Sequence, residues 1–289
     1  MTRYLEYIKK AGVLIEALPY IQRFRAKIIV VKMGGSVLEN PEDFESALRD
    51  IVFLECIGCK PVIVHGGGKA ISSRLKESGI ETRFIDGLRY SCEKTIAVVD
   101  DVLHNEMNIK IVDAINDFGG KAASLSGKTM LKAEPLDEKY GFVGDVCEVD
   151  IAQIKKLHEA EIVPVITPLA VGPDSQIYNI NADTAASRIA EGLQTQGEEV
   201  AKIVFLSDVP GLLRNPEDEG SLITTLKVDE IPALIEQGII SGGMVPKVES
   251  AVHALNTGCR KVHLIDARLQ HSLLLEIFTD QGVGTQITH

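Results

Sequence analysis

The sequence predicts an α/β protein with an open, mainly parallel central sheet sandwiched by helices and an extra N-terminal helix. Short apolar strands such as Ile28–Val31 and Pro61–Val64 alternate with segments of helical periodicity. Strands that are apolar on both sides are typical of a parallel sheet covered on both faces. The chain has 289 residues, of which 45% are hydrophobic. This length suits about two domains of roughly 150 residues each, or one large α/β unit, and a substantial core.

The first 25 residues stand apart as a helix with one apolar stripe. The stripe recurs every three to four residues, as in an amphipathic helix, and consists of Tyr4, Ile8, Ala11, Ile15 and Leu18. Pro19 is expected to end or kink this helix. The stripe can pack on its own domain or on another subunit. Because the rest of the chain already supplies a core, the second is favoured, and residues 1–25 are predicted to be an oligomerisation helix.

Periodicity and turn signals predict the remaining elements. Strands are expected at 27–32, 61–65, 162–166, 202–206 and 261–265, with a β-rich stretch at 122–149. Helices are expected at 42–57, 69–78, 93–118, 150–159, 183–193, 229–237, 246–257 and 270–278. The run 194–199 is the most linker-like central segment. It divides the chain into predicted domains 26–193 and 194–289.

Composition argues against several classes of protein. The net charge of −11 disfavours nucleic-acid binding, because neutralising phosphates requires clustered Lys and Arg. The apolar runs are far shorter than the ~18 residues of a membrane helix, and charged residues interrupt any N-terminal signal sequence. Five cysteines, an odd number without an export signal, indicate reduced thiols. The protein is therefore expected in the cytoplasm, without contact with nucleic acid or membrane.

Two short motifs admit other chemistries. Cys56 and Cys59 have the spacing of a redox dithiol, but they follow a predicted helix, whose C-terminus disfavours a thiolate. A zinc site would need a second Cys/His pair at ligand spacing. The segment 122–129 matches a P-loop except for its first glycine, and it follows a predicted helix rather than an apolar strand. Core cysteines and an ordinary turn are favoured, with the redox centre and the P-loop as lesser alternatives.

Two strand ends are rich in glycine, at 32–36 and 65–69. Ligands of parallel sheets bind beyond the carboxyl ends of strands, where glycines let backbone N–H groups approach phosphate or carboxylate oxygens. Tight strand-to-helix turns are the alternative reading of both segments. Lys32 favours the anion site, because a lysine beside such a turn adds a cation suited to phosphoryl oxygens.

Polar side chains also cluster beside two predicted helices. Asn179, Asn181 and Asp183 alternate along an extended segment, so their side chains are expected to point the same way. Helix capping is the alternative role for such residues. Pro246 suits the first turn of a helix and places Lys247 near its N-terminus. A solvated surface lysine is the alternative there.

Together these clusters resemble the amino acid kinase family over essentially the whole chain. The matching segments are Lys32–Gly35, Val64–Gly68, Asp86–Arg89, Gly141–Gly144, Tyr178–Asp183, Ser207–Gly211 and Gly242–Lys247. The resemblance is strongest to members that phosphorylate the side-chain carboxylate of N-acetyl-L-glutamate in arginine biosynthesis. It implies that 26–193 binds this acceptor and forms dimers. It also implies that 194–289 binds ATP, with Mg²⁺ carried on the ATP phosphates.

The resemblance further implies roles for individual residues. Lys32 and Lys247 would stabilise the transferred phosphoryl group, and Asp183 would hold both lysines. No strong base is needed, because the attacking carboxylate is already ionised at pH 7. The acceptor would contact Gly67, Gly68, Arg89, Asn179 and Asn181. ATP would contact Gly34, Gly35, Ser207, Asp208, Gly211, Gly243 and Met244. No protein residue is expected to ligate a metal.

The N-terminal helix resembles that of arginine-inhibited members, in which it interlaces dimers into a hexamer. The comparison implies an inhibitor site for arginine formed by Tyr20, Lys202, Glu276 and Gly282. Arginine would then bind a state with poor catalytic geometry, which couples two separate sites. A PII signalling protein stays open as a further partner.

Three positions depart from the family pattern. Lys69 stands where Pro is usual, residues 90–92 replace a usual Val-Thr-Asp, and Ala267 replaces a common Gly. The first two lie at the expected acceptor end, so glutamate, a 2-aminoadipate derivative, carbamate or UMP stay open as acceptors. A non-catalytic arginine sensor or PII-binding module is the alternative of another class. The presence of both lysines and of Asp183 argues against it.

Overall fold

A computed structural model describes residues 4–279 and 282–289 of the chain. The α-helices are α1 Leu5–Phe24, α2 Pro41–Cys56, α3 Gly68–Glu77, α4 Glu93–Asp101, α5 Ile109–Asp117, α6 Ala152–Glu159, α7 Ala182–Thr195, α8 Ile231–Glu236, α9 Met244–Asn256 and α10 Ser272–Phe278. A π-helical segment, Val102–Asn108, joins α4 to α5 without a break. No helix within the described ranges is long and apolar enough to cross a membrane.

The strands form one large sheet, one smaller sheet and a hairpin. They are β1 Ile28–Met33, β2 Lys60–His65, β3 Phe84–Ile85, β4 Leu88–Arg89, β5 Ala122–Leu125, β6 Leu131–Pro135, β7 Gly144–Val149, β8 Val163–Ile166, β9 Leu169–Val171, β10 Ile177–Asn179, β11 Val200–Ser207, β12 Thr225–Lys227, β13 Val262–Asp266 and β14 Gly284–Thr288. The large sheet has the order β12-β14-β13-β11-β1-β2-β8-β5. Its strands from β13 to β5 are parallel, whereas β14 runs against β13 and β12 lies parallel to β14. The predicted mainly parallel sheet is confirmed.

Strand β1 lies at the centre of the sheet and is buried along its whole length. Ile28 and Val30 face a core that includes residues of α7 and α9. Ile29 and Val31 face a second core that includes residues of α2 and of the α4–α5 helix. The alternation of strand side chains therefore builds two apolar layers from one continuous apolar run.

The structure departs from the sequence-based expectation at several elements. The short strands β3, β4, β9, β12 and β14 were not predicted individually, because they are short and mixed in polarity and depend on pairing partners elsewhere in the chain. Helix α1 continues through Pro19 to Phe24. Its last turn is held by tertiary packing, because Tyr20 contacts the Phe278 ring edge-on at 6.2 Å between centroids and Phe24 is buried. The predicted helix 93–118 contains the π-helical segment in its middle.

Candidate active site

The two glycine-rich segments meet at the carboxyl ends of β1 and β2. The Gly34 N–H donates to Leu206 O at 3.0 Å, and the Gly66 N–H donates to Met33 O at 2.9 Å. A Cβ atom added to Gly35 would lie 3.4 Å from the backbone nitrogen of Gly68. The two turns thus approach each other closely, and side chains there would fill the space beside their backbone N–H groups.

A buried carboxylate lies between the two predicted catalytic lysines. Lys32 is on β1, Asp183 is in the first turn of α7, and Lys247 is in the first turn of α9. Lys32 Nζ lies 2.9 Å from Asp183 Oδ1, and Lys247 Nζ donates to Asp183 Oδ2 at 2.9 Å. Asp183 and Lys32 are buried, whereas the Lys247 side chain is 19% exposed. One carboxylate therefore sets the spacing of two cations at the sheet edge.

The charged groups of this triad shift one another's pKa values. Burial lowers the pKa of Lys32, and the Asp183 carboxylate opposes that shift. Burial alone would raise the pKa of Asp183, but the attraction of Lys32 and Lys247 outweighs it and holds this pKa below its usual value. The carboxylate therefore stays ionised and serves as a fixed anion between the lysines rather than as a proton donor.

Arg89 presents a half-satisfied guanidinium to the same site. Its Nη2 atom donates to Gly68 O at 2.7 Å and to Ser72 Oγ at 2.9 Å. The guanidinium carbon lies 4.8 Å from the centroid of the Phe84 ring. Arg89 is buried, and its Nη1 atom has no hydrogen-bond partner among the described residues. Burial lowers the pKa of this arginine, and an unpaired buried cationic donor is costly unless a ligand accepts its hydrogen bonds.

Lys32, Asp183 and Arg89 line one cavity of about 480 Å³, whereas the predicted catalytic Lys247 is not among its wall residues. Its walls include nine of the residues predicted for catalysis and binding, namely Lys32, Gly35, Gly67, Gly68, Arg89, Asn179, Asn181, Asp183 and Asp208. Asn181 also caps α7, since its Oδ1 accepts from the backbone N–H of Asp183 at 2.8 Å and of Thr184 at 3.2 Å. The structure therefore gives Asn181 the capping role in addition to its place in the wall.

Five residues predicted to contact ATP do not line this cavity. Gly34 lies behind it, where an added Cβ would be 3.1 Å from Leu206 O, and Ser207 ends β11. Gly211 has a φ of 128° and packs against Thr285. Gly243 and Met244 begin α9, within one turn of Lys247. All five lie at the carboxyl edge of the sheet or at the start of α9, and their contact with a nucleotide stays a prediction.

Sequence reasoning missed Ser72 and Phe84, which hold the Arg89 side chain. Ser72 lies one turn along α3 from Gly68, so the position of the glycine-rich turn on a helix was the signal that could have indicated it. Phe84 precedes Arg89 in a short hairpin, where Phe84 pairs directly with Arg89. Only the pairing of these two strands reveals that contact.

The unusual Lys69 and the two lesser motifs have local partners. Lys69 also lines the cavity, and its Nζ lies 2.6 Å from Glu39 Oε2. The P-loop-like lysine, Lys128, is held by Asp100 at 2.7 Å. Both Cys56 and Cys59 are free thiols, and burial raises the pKa of Cys59 to about 11. The expectation of two core cysteines is wrong for Cys56, which is exposed at the end of α2. A thiolate redox centre is therefore disfavoured at this pair.

A second cavity, of about 370 Å³, lies beside α1 and α10. Its walls include the four residues predicted to bind an inhibitor, namely Tyr20, Lys202, Glu276 and Gly282. Glu276 Oε1 lies 2.8 Å from Lys202 Nζ and 2.7 Å from His263 Nδ1. Burial would raise the pKa of Glu276, but His263 and Lys202 lower it to about 2. The cavity thus combines an aromatic ring, a fixed carboxylate and a glycine turn.

Known proteins share this fold and sequence. The family model of the amino acid kinase family matches residues 27–266. Acetylglutamate kinase of Heliobacterium modesticaldum is 44% identical, over 98% of this chain and 99% of that protein. Acetylglutamate kinase of Syntrophomonas wolfei is 43% identical, over 98% of each chain.

Solved structures agree with this grouping. N-acetylglutamate synthase from Neisseria gonorrhoeae, in complex with coenzyme A and N-acetyl-glutamate, has a TM-score of 0.84 at 25% identity. The match covers 96% of this chain, which spans 63% of that protein's length. Giardia carbamate kinase, at 17% identity, shares the fold with a TM-score of 0.66 over 91% of this chain and 99% of its own. By its fold and by sequence matches along nearly its whole length, this chain belongs to the amino acid kinase family.

Proposed function

We propose that this protein transfers the γ-phosphoryl group of ATP to the side-chain carboxylate of N-acetyl-L-glutamate and forms N-acetyl-L-glutamyl 5-phosphate, a step of arginine biosynthesis. Relatives named acetylglutamate kinase match at 44% identity over 98–99% of the chain. The observation that carries the proposal is the cavity lined by Lys32, Asp183 and Arg89, with Lys247 held beside it through its ion pair with Asp183.

The reaction is an in-line displacement at phosphorus. An acceptor carboxylate oxygen forms a bond to the γ-phosphorus while the bond from that phosphorus to the ADP oxygen breaks. Negative charge is spread over the moving group, so catalysis requires positioning and neutralisation rather than a base. Lys32 and Lys247 supply two cations, and Asp183 keeps them apart and aimed before the substrates arrive. Such preorganised charge is the main source of rate enhancement in this kind of site.

Arg89 supports a dicarboxylate acceptor. Its Nη2 atom is already committed to Gly68 O and Ser72 Oγ, whereas Nη1 is buried without a partner among the described residues and would donate to the acceptor carboxylate. Asn179 lies in the same wall and would hold the amino-acid end of the acceptor. The backbone N–H groups at Gly67 and Gly68 would contact the oxygens of the carboxylate under attack.

The site also fits the phosphates of ATP. The glycine-rich turns at Gly35 and Gly68 leave room for oxygens beside backbone N–H groups, and Lys32 adds a cation. Mg²⁺ bound to ATP would neutralise part of the phosphate charge. We infer that residues 194–289 carry the nucleoside through Ser207, Asp208, Gly211, Gly243 and Met244, and that 26–193 carry the acceptor and the dimer contact.

The experiment that tests this function is formation of an acyl phosphate trapped as its hydroxamate. Purified protein is incubated with MgATP and either N-acetyl-L-glutamate, glutamate or carbamate. The proposal requires turnover with N-acetyl-L-glutamate and a kcat/KM at least about tenfold lower with glutamate and with carbamate. A tenfold ratio corresponds to about 1.4 kcal/mol of discrimination between acceptors. Preference for another acceptor would overturn the substrate and would point to Lys69 and residues 90–92.

We further infer that arginine inhibits the enzyme through the cavity of Tyr20, Lys202, Glu276 and Gly282. The Glu276 carboxylate provides the anion that a guanidinium or an α-amino group requires.

Helix α1 exposes apolar side chains such as Ile8 at 62% and Ile15 at 69%, which supports a hexamer joined through this helix. A PII signalling protein is an additional partner to test by pull-down, and the enzyme is expected in the cytoplasm.

A further inference from the structure

Two fully buried polar side chains lie directly behind the glycine-rich turn at 66–68. His65, the last residue of β2, and Asn108, the last residue of the π-helical segment, are both 0% exposed. Asn108 Nδ2 lies 3.1 Å from His65 Nε2 and donates to Val165 O at 2.8 Å. His65 Nδ1 lies 3.0 Å from Gly66 O. Neither residue touches the reacting groups, so their polar burial needs another explanation.

The contacts determine how these two side chains are oriented. Val165 O is a carbonyl and only accepts, so the Asn108 amide must turn its NH₂ group toward it and toward His65. His65 Nε2 is then the acceptor, and Nδ1 carries the proton that is donated to Gly66 O. Burial lowers the pKa of His65 to about 4, which keeps the ring neutral in this tautomer. One hydrogen-bond chain thus runs from β8 through Asn108 and His65 to the peptide at Gly66.

Gly66 is held on both sides as a result. Its N–H donates to Met33 O on β1, and its carbonyl accepts from His65. The next residue, Gly67, packs directly on the π-helical segment. A Cβ added to Gly67 would lie 2.8 Å from Leu103 Cδ2 and 3.4 Å from Met107 Cγ. The segment therefore contacts the turn both through a polar chain and through apolar side chains.

The π-helical geometry explains how one helix makes both contacts. Insertion of a wider turn changes the direction of the residues that follow, and such turns are frequent at functional sites. Here the segment brings Leu103, Met107 and Asn108 to the same buried side. The cost is visible at Asn108 Oδ1, which is buried without a hydrogen-bond partner among the described residues. A buried acceptor left unpaired costs free energy, so its presence calls for an explanation.

We propose that Asn108 is a positioning residue for phosphoryl transfer, which acts by locking His65 in the tautomer that holds the turn 66–68 toward the cavity. The inference rests on the proposed kinase function, because it assigns the turn to the transition state. Loss of Asn108 leaves His65 free to reorient and leaves the Gly66 carbonyl unheld. The backbone N–H groups at Gly67 and Gly68 then lose their fixed aim at the acceptor and the moving phosphoryl group.

The test compares Asn108→Leu with Asn116→Leu. Leucine has the same branched arrangement of side-chain heavy atoms as asparagine, but it is larger and has no polar atoms. Asn116 lies on the same long helix, is exposed, and accepts from the Ala122 N–H at 2.9 Å away from the cavity, so its loss controls for the removal of an asparagine hydrogen bond from this helix. Hydrogen exchange is measured by mass spectrometry on the segment 61–71, which contains the bonded amides of Gly66 and Ile71. We expect exchange there to be at least about tenfold faster in Asn108→Leu and unchanged in Asn116→Leu.

The second measurement on the same variants is of kcat and of the dissociation constants for ATP and the acceptor. We expect kcat to fall by about 10- to 100-fold in Asn108→Leu, with dissociation constants for ATP and acceptor within about threefold, since the turn acts in the transition state. If Asn108→Leu does not fold, Asn108→Ser keeps a small polar group and replaces it in both assays. Unchanged exchange and unchanged kcat in a folded variant, or equal effects in Asn116→Leu, would overturn the proposal. The exchange measurement needs no substrate, so it distinguishes this failure from failure of the kinase function.

Discussion

Asp183 Oδ2 accepts a hydrogen bond from Lys247 Nζ at 2.9 Å, although the two residues lie 64 positions apart on helices α7 and α9. The same two helices are joined by Ser187 Oγ, which donates to Ser250 O at 2.8 Å. Lys247 is therefore placed by packing before any ligand binds. A cation that is already aimed does not need to be ordered in the transition state.

Replacement of Lys247 by methionine removes this cation but keeps the length of the side chain. We expect kcat to fall by about 10²–10³-fold, the usual effect of losing one preorganised electrostatic group, with KM for the acceptor changed far less. Steady-state hydroxamate assays measure both constants. Lys132→Met, which removes an exposed lysine on β6, is the matched control and should match the wild type. A Lys247→Met variant with wild-type kcat would show that this lysine lies outside the reaction.

Arg89→Lys keeps the charge but removes the forked guanidinium. A lysine cannot donate from two fixed nitrogens to one carboxylate and lacks the planar contact with Phe84. We expect KM for N-acetyl-L-glutamate to rise by about 10- to 100-fold while KM for ATP stays within about threefold. Arg74→Lys on α3, whose exposed side chain pairs with Asp101, serves as the control. Equal rises in both Michaelis constants would argue for a general structural loss instead.

Gly282→Ala tests the inhibitor cavity. The added Cβ would lie 2.8 Å from Glu276 Oε2 and occupy the space of a ligand. We expect the arginine concentration for half-inhibition to rise by at least about tenfold, with kcat without arginine unchanged. Gly79→Ala is a matched control, since Gly79 has a φ of 67° against 62° for Gly282 and open space at its Cβ. Both variants carry similar backbone strain. A higher half-inhibition concentration in Gly282→Ala than in Gly79→Ala would therefore come from the contact with the inhibitor cavity.

Glu276 also predicts a pH dependence of stability. Its pKa is lowered from 4.5 to about 2 in the folded protein. The carboxylate therefore stabilises the fold above pH 4.5, and this contribution is lost as the pH falls from 4.5 toward 2. In thermal unfolding, the Tm of the wild type should be higher than that of Glu276→Gln at neutral pH. This difference in Tm should shrink below about pH 4.5. Glu134→Gln, at an exposed site, controls for general acid effects. A difference that stays constant down to pH 2 would contradict the assignment.

Deletion of residues 1–16 tests the role of α1 in assembly. This removes most of its exposed apolar side chains, including Tyr7, Ile8 and Ile15, but leaves Tyr20 and Phe24 in their contacts with the body. We expect light scattering to show loss of the hexamer and retention of dimers, with kcat within about threefold of the full chain. Ile15→Asp should act in the same direction, and Lys10→Ser, on the polar side, should not. If the shortened protein keeps the same number of subunits per particle, residues 1–16 are excluded as the subunit contact.

The sequence predicted those parts of the fold that depend on local signals. Continuous apolar runs identified β1, β2, β8, β11 and β13, because a strand buried on both faces leaves no room for polar residues. The strand β14 escaped prediction, because Gly284–Thr288 is mixed in polarity and is a strand only through its pairing with β13. Pro19 was expected to end or kink α1; the helix does not end there, and the ring contact of Tyr20 with Phe278 shows how tertiary packing retains the helix beyond it.

In the candidate site, too, local sequence signals could be predicted and tertiary contacts could not. Glycine at strand ends and lysines beside them are local signals, so Lys32, Gly35 and Gly68 could be found from the sequence alone. The support behind them could not, because Asn108 reaches His65 only through the π-helical turn, which has no clear sequence pattern. The unpaired Arg89 nitrogen likewise depends on where Ser72 and Gly68 take up the other half of the guanidinium.

Strand β1 lies between β2 and β11, and its pairing with β11 is in continuous register from Ile29 to Met33, so the border between the proposed acceptor half and the proposed nucleotide half is a row of backbone hydrogen bonds. Lys32 pairs with Phe205 within that row, two positions before Ser207. A sheet of this kind bends by twisting, and it offers no free hinge at its centre. Relative movement of the two proposed halves would therefore have to act through these paired strands, which carry Lys32 on one side of the border and Ser207 on the other.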